Sequence, residues 1–273
     1  MKVPFFPVCS VLVALAFLSF QNPQPDPSMA YEREWNTIDS LENEGLYRSA
    51  LERTEALYDC ARSESNAPQQ ARAMIYRAKY TAELEEDGAI KAINLFREVI
   101  ETAESPLRPV LQSMLGELYM NYAQANYGRL SDRTQVPGEL PGDIQTWTLE
   151  QFAAESARLY LASLEGQGLK KTPIDRYAAI TTDPQNTEGL RPTLYDFLAH
   201  RALEHFSDER LYLTAPAYRF QIDQAAAFAP APDFVETEFS TRDTTSFKYR
   251  ALGIFRELLA FHLDDEAPAA LVD

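Results

Sequence analysis

The sequence predicts an all-α fold of stacked helix pairs, a tetratricopeptide-like α-α superhelix interrupted by long irregular loops. Three observations carry this expectation. Apolar residues recur at intervals of three and four along most of the chain, the period of a helix with one buried face. Capping and turn residues stand between those stripes rather than within them. Only 10 glycines occur in 273 residues, so few positions interrupt a helix.

The first element is a leader. Lys2 precedes the apolar run Val11 to Phe20, which is too short to cross a bilayer but has the length of a secretory hydrophobic region. Residues 1–21 therefore read as a signal peptide, with Ser19 in the small-residue position ahead of a cut after Gln21. Cys9 precedes the apolar run, whereas a lipid-modified cysteine follows one; an uncleaved anchor is the remaining alternative. Residues 22–30, with Pro23 and Pro25, form a linker.

Residues 31–127 read as helix pairs. Trp35, Ile38 and Leu41 share a face, Gly45 breaks the pattern, and Leu46, Ala50, Leu51, Leu57 and Tyr58 resume it on a second helix. Asn66-Ala67-Pro68 opens the next pair, Asn as cap and Pro in the first turn, where its missing N–H has no partner anyway. Its first helix carries Ala71, Ile75, Tyr76 and Leu84. Asp87-Gly88 makes the turn, and Ile90, Ile93, Leu95, Phe96, Val99 and Ile100 form the second apolar face, with Phe96 a core residue. Ser105-Pro106 opens a further helix with Val110, Leu111, Met114, Leu115, Leu118, Tyr119 and Tyr122 inward. Leu115-Gly116-Glu117-Leu118-Tyr119 fits the first-helix signature of a tetratricopeptide repeat, and Ala92, Phe96 and Val99 approximate its second. Ala50 and Ala92 are 42 residues apart, longer than that repeat's period of about 34, so the likeness is one of geometry.

Residues 128–147, with Pro137-Gly138 and Pro141-Gly142, read as a long loop. Helix returns in 148–263. Thr148 and Gln151 make a capping box, and Phe152, Leu159, Tyr160, Leu161 and Leu164 supply the buried stripe. Gly166 to Gly189 is irregular, and Leu190 to Leu198 begins a helix running to about Phe206. The stretch near 207–242 is the least helical. Asp243 is expected to cap a last strong helix carrying Phe247, Ala251, Ile254, Phe255, Leu258, Leu259 and Phe261. Residues 264–273 read as the start of a following segment, the chain being an N-terminal fragment of a longer protein.

Lys and Arg total 25 against 41 Asp and Glu, a formal charge of −16. That balance excludes a sequence-independent grip on nucleic-acid phosphates and docking on anionic lipid, both of which need a basic surface. Membrane contact is left to the leader alone. Once the leader is removed Cys60 is the single cysteine, so no intrachain disulfide forms; in its helical pattern it reads as a small buried residue, with a reactive thiol as the alternative.

No catalytic, cofactor-binding or metal-binding residue is assigned. His200 and His205 stand five apart, about 140° round a helix, so both imidazoles cannot meet one zinc ion; they read as one core-edge and one surface histidine. Glu85-Glu86-Asp87 and Asp264-Asp265-Glu266 read as solvated turns. No Gly-x-Ser-x-Gly, phosphate loop, dinucleotide fingerprint or paired Cys-x-x-Cys occurs.

Tyr31-Glu32-Arg33-Glu34-Trp35, Asp39 to Leu51, Ala73-Met74-Ile75-Tyr76-Arg77, Leu190 to Leu203, Phe228-Ala229-Pro230-Ala231 and Tyr249-Arg250-Ala251-Leu252 together resemble the N-terminal helical region of large bacterial alpha-2-macroglobulin-like proteins. The resemblance covers nearly the whole mature chain. It implies export to the bacterial periplasm, outer membrane or extracellular space, and a role as scaffold or docking module ahead of the β-sandwich domains of a protease inhibitor. The implied partner is a protease or the downstream domains of the same chain. The chain departs from the family's trapping chemistry: Cys60 is followed by Ala61-Arg62-Ser63, not by the thioester partners of a Cys-x-Glu-Gln motif. A free-standing secreted helical-repeat protein that binds a protein or glycan is the alternative, and an enzyme with an unrecognised site is the third.

Overall fold

The computed structural model describes residues 27–133, 142–181, 189–208, 218–265 and 268–271; the leader and Cys9, Pro137-Gly138, Pro141 and Glu266 lie outside them. Among the described residues ten α-helices follow in order: α1 Pro27–Asn43, α2 Tyr47–Ser63, α3 Ala67–Leu84, α4 Gly88–Thr102, α5 Leu107–Ala125, α6 Tyr127–Leu130, α7 Leu149–Leu164, α8 Leu194–Ser207, α9 Ala231–Val235 and α10 Phe247–His262. Among the described residues there is no strand, only one antiparallel bridge between Pro173 and Thr193. The fold is all-helical, with helices packed in neighbouring pairs as the apolar periodicity predicts.

The turns show how the pairs are made. Gly45 sits at φ 75°, and the N–H groups of Gly45 and Leu46 donate to the carbonyls of Glu42 and Leu41, a Schellman end for α1. Leu46 lies outside α2 and is exposed rather than part of its buried stripe. The same arrangement closes α2 with Ser65 in the left-handed position at φ 54°. Asn66 then caps α3 by accepting from the Gln69 N–H, with proline in the first turn. At Asp87-Gly88 the roles divide. Asp87 adopts the left-handed conformation, while Gly88 gives closeness: a Cβ there would lie 2.6 Å from the carbonyl oxygens of Thr81 and Ala82.

Chain neighbours pack on one another from α1 through α5; α5 then packs on α7, α7 on α8 and α8 on α10. One continuous apolar core runs from Tyr31 to Leu258 and includes Trp35, Ile38, Met74, Phe96, Leu111, Tyr119, Phe152, Tyr177 and Leu198. The α5–α7 contact is tight because Gly116 has no side chain. A Cβ there would lie 2.9 Å from the Tyr160 ring, and the Ser156 hydroxyl donates to the Gly116 carbonyl at 2.7 Å.

The expected capping box on α7 is present, Thr148 and Gln151 each satisfying the other's backbone N–H. A second one opens α8 through Thr193 and Asp196. Several expectations are corrected. α1 opens at Pro27, ahead of Tyr31. α6 carries helix on to Leu130, inside the 128–147 stretch expected as loop; Leu130, Ile144 and Trp147 are buried, and the Arg133 guanidinium binds the carbonyls of Gln145 and Trp147. Ser246, not Asp243, caps α10. Asp243 is buried and accepts from the Phe220 N–H at 3.1 Å, anchoring a small satellite cluster of Phe220, Phe234 and Leu252. Phe255 faces solvent.

Candidate functional site

The residues weighed from sequence are not brought together. Cys60 is exposed on α2, with its thiol 3.7 Å from Glu64 Oε1; the fourth turn of an outer helix carries it away from the core. The expectation of a buried cysteine is therefore wrong. Glu85, Glu86 and Asp87 are exposed, and Glu85 pairs with Lys91 at 2.9 Å, as a solvated turn would.

Both α8 histidines avoid the surface. His200 is half-buried. His205 is buried and stacks on Tyr160 with centroids 4.4 Å apart, between Phe206 and Phe247. Its Nε2 has no hydrogen-bond partner. Burial pushes its pKa down to about 4, with Asp208 opposing and Arg250 adding to the shift. A neutral imidazole used as an aromatic plate explains the geometry.

The third histidine is the one spacing did not single out. His262, at the end of α10, is buried with Nε2 2.8 Å from Asp196 Oδ1 and Nδ1 2.6 Å from Asp265 Oδ2. Asp265 stays exposed, as a solvated turn would be, and at the same time partners a buried ring. Both carboxylates accept, so both ring nitrogens must donate, and the geometry fits the imidazolium. Burial opposes that charge, but Asp265 and Asp196 outweigh it and raise the pKa above its ordinary value. Asp196 also accepts from the Thr193 hydroxyl at 2.8 Å. This chain of groups clamps the start of α8 to the end of α10, with Asp196 and His262 buried and the Asp265 carboxylate 43% exposed at its outer end.

The accessible chemistry lies nearby, in a groove of about 510 Å³ between the end of α7, the start of α8 and the face of α10. Tyr195 and Tyr249 supply aromatic walls, Leu161, Leu252 and Ile254 an apolar floor, and Lys170, Arg250 and Arg256 the positive charge. Each element delivers its residue for a local reason. Lys170 sits in a short 3-10 turn, Leu169–Lys171, which follows Gly168 at φ 77°, and its ammonium lies 4.6 Å from the Tyr195 ring centre and 4.8 Å from that of Phe261. Arg250 and Arg256 lie on α10. Arg256 donates to the Thr237 carbonyl and the Tyr249 hydroxyl to that of Phe239, pinning the 237–239 segment along one side. A smaller cleft of about 270 Å³ abuts the first and shares Leu164, Lys170 and Tyr195 with it. The larger volume lies within the range of ligand pockets and the smaller just below it.

Among the described residues no group of three or more His, Cys, Asp or Glu is placed to hold a metal ion, and no helix is long and apolar enough to cross a membrane. No protein-family model matches the chain, and no curated protein or solved structure matches it either.

Proposed function

We propose that the chain is a non-catalytic helical scaffold and docking module on the N-terminal side of an exported alpha-2-macroglobulin-like protease inhibitor. The observation that carries the docking part is the groove of Lys170, Tyr195, Tyr249, Arg250 and Arg256, which offers charge and aromatic surface but no nucleophile beside a base. The family part is supported by the sequence strings quoted above and by the helical architecture they would belong to. Its buried histidines work as packing and clamping groups, roles that suit a scaffold.

Two measurements test the reading. Sequencing the gene beyond the codon for Asp273 should reveal a series of macroglobulin β-sandwich domains; an immediate stop codon would sink the family assignment and leave a free-standing binder. The purified chain should leave a panel of proteases uninhibited and form no covalent adduct on a denaturing gel. Stoichiometric zinc by elemental analysis, or such an adduct, would overturn the non-catalytic assignment.

A further inference from the structure

We infer that the groove between α7, α8 and α10 receives an extended acidic segment of a partner polypeptide, one that alternates carboxylate and apolar side chains. The inference rests on the docking reading above and not on the family assignment.

Two independent observations point to such an occupant. The first is charge. In a chain with 41 acidic and 25 basic residues, cations are in short supply. Lys170, Arg250 and Arg256 gather on one groove, and none of them forms an ion pair among the described residues. Lys170 is braced only by two aromatic faces, which orient its ammonium and leave its hydrogen-bonding capacity open to a carboxylate. Glu165 and Glu257 also line the groove, so its cations outnumber its carboxylates by three to two.

The second observation is Gly253. It lies in the interior of α10, where glycine is less favourable than alanine by about 1 kcal/mol. A Cβ at Gly253 would meet nothing within 4 Å, so packing inside this chain does not call for its absence. Gly88, Gly116 and Gly166 differ: each would drive a Cβ into a neighbour. Gly253 faces the groove, and close approach of another backbone is what a missing side chain there would permit. The occupant is an extended chain rather than a compact anion because the two clefts adjoin, sharing Leu164, Lys170 and Tyr195, and a compact anion would fill only one of them.

The test uses fluorescence polarisation with the purified chain and two labelled heptapeptide libraries. One has Asp or Glu at alternate positions and Leu, Phe or Val between them; the other has Lys or Arg in place of the acids. Saturable binding of the acidic library alone is expected, weakening as salt is raised. Lys170→Glu with Arg256→Glu should weaken it about tenfold. Gly253→Ala should weaken it severalfold while leaving the melting temperature equal or higher, a combination that a purely structural glycine would not give. Equal binding of both libraries, no binding of either, or binding indifferent to Gly253→Ala and to the charge reversals would overturn the inference. Displacement of the peptides by citrate or inorganic phosphate at comparable concentration would overturn the extended-chain occupant in favour of a small anion. Acidic-peptide binding in a chain whose gene encodes no macroglobulin domain would leave the inference standing and remove only the family assignment.

Discussion

Two histidines on packed neighbours respond to acid in opposite directions. His262 has its pKa raised in the folded chain, so its contribution to stability is complete below the unfolded value of about 6.5 and is lost as pH rises through the raised folded value. His205 is depressed to about 4. Its contribution is complete above about 6.5 and falls away as pH drops toward 4, amounting to a loss on the order of 3 kcal/mol at the acid end. Thermal melts across this range should show His262→Gln flattening the alkaline limb alone and His205→Phe flattening the acid limb alone. Variants whose melting profiles run parallel to the parent chain at every pH would refute both assignments. The five-residue spacing of His200 and His205 argues against one shared metal ion. Nothing in the sequence marked His262, because its partner Asp196 stands 66 positions away and is presented by a capping box whose side chain has an oxygen to spare. A Thr-x-x-Asp at a helix start was the available signal. It shows that the carboxylate is fixed in place, but not what it faces.

At the scale of elements, energetics follow from how closely the helices approach. Phe96 is 2% exposed on the inner face of α4, and Phe96→Ala should cost about 3–5 kcal/mol; a loss near that of an ordinary point substitution, about 1 kcal/mol, in a denaturant titration would show that the α3–α4 packing is misassigned. Gly116→Ala should cost about 1–3 kcal/mol although alanine favours helix, since its Cβ meets the Tyr160 ring 2.9 Å away. Pairing it with Tyr160→Leu should recover part of that loss, and no recovery would count against the contact. Element identity was legible wherever a period and a cap coincided, as with Asn66 before α3 or Thr148 before α7. It was less legible where backbone geometry broke the usual residue preferences. Ser65 takes the left-handed position normally given to glycine, and Asp243 has the look of a cap but turns back to hold Phe220. The Leu-Gly-x-x-Tyr string was read as the first-helix signature of a tetratricopeptide repeat; the helix that meets its glycine is α7, reached only after the 128–147 loop.

In the molecule as a whole, the unbroken core from Tyr31 to Leu258 joins the helix pairs into one apolar body, while Phe220, Phe234 and Leu252 form a separate island with few partners. Amide hydrogen exchange should therefore open residues 218–246 well before α3, α5 and α7; protection of that segment equal to α5 would contradict the division. Fold class could be read from composition and period because each helix buries its own stripe. The groove could not, since Lys170, Tyr195, Phe239 and Arg250 come from four separate segments and each looks ordinary in its own neighbourhood. Spatial order follows chain order: with only the short α6 and α9 set aside, each helix lies against its predecessor. For a chain that emerges amino end first, from a ribosome or through a translocation pore, every new helix finds its docking surface already waiting, and little apolar surface stays uncovered for long. Among the described α-helices α10 is the last to emerge, so the buried contact of Asp196 with His262 closes over helices that have already folded behind it.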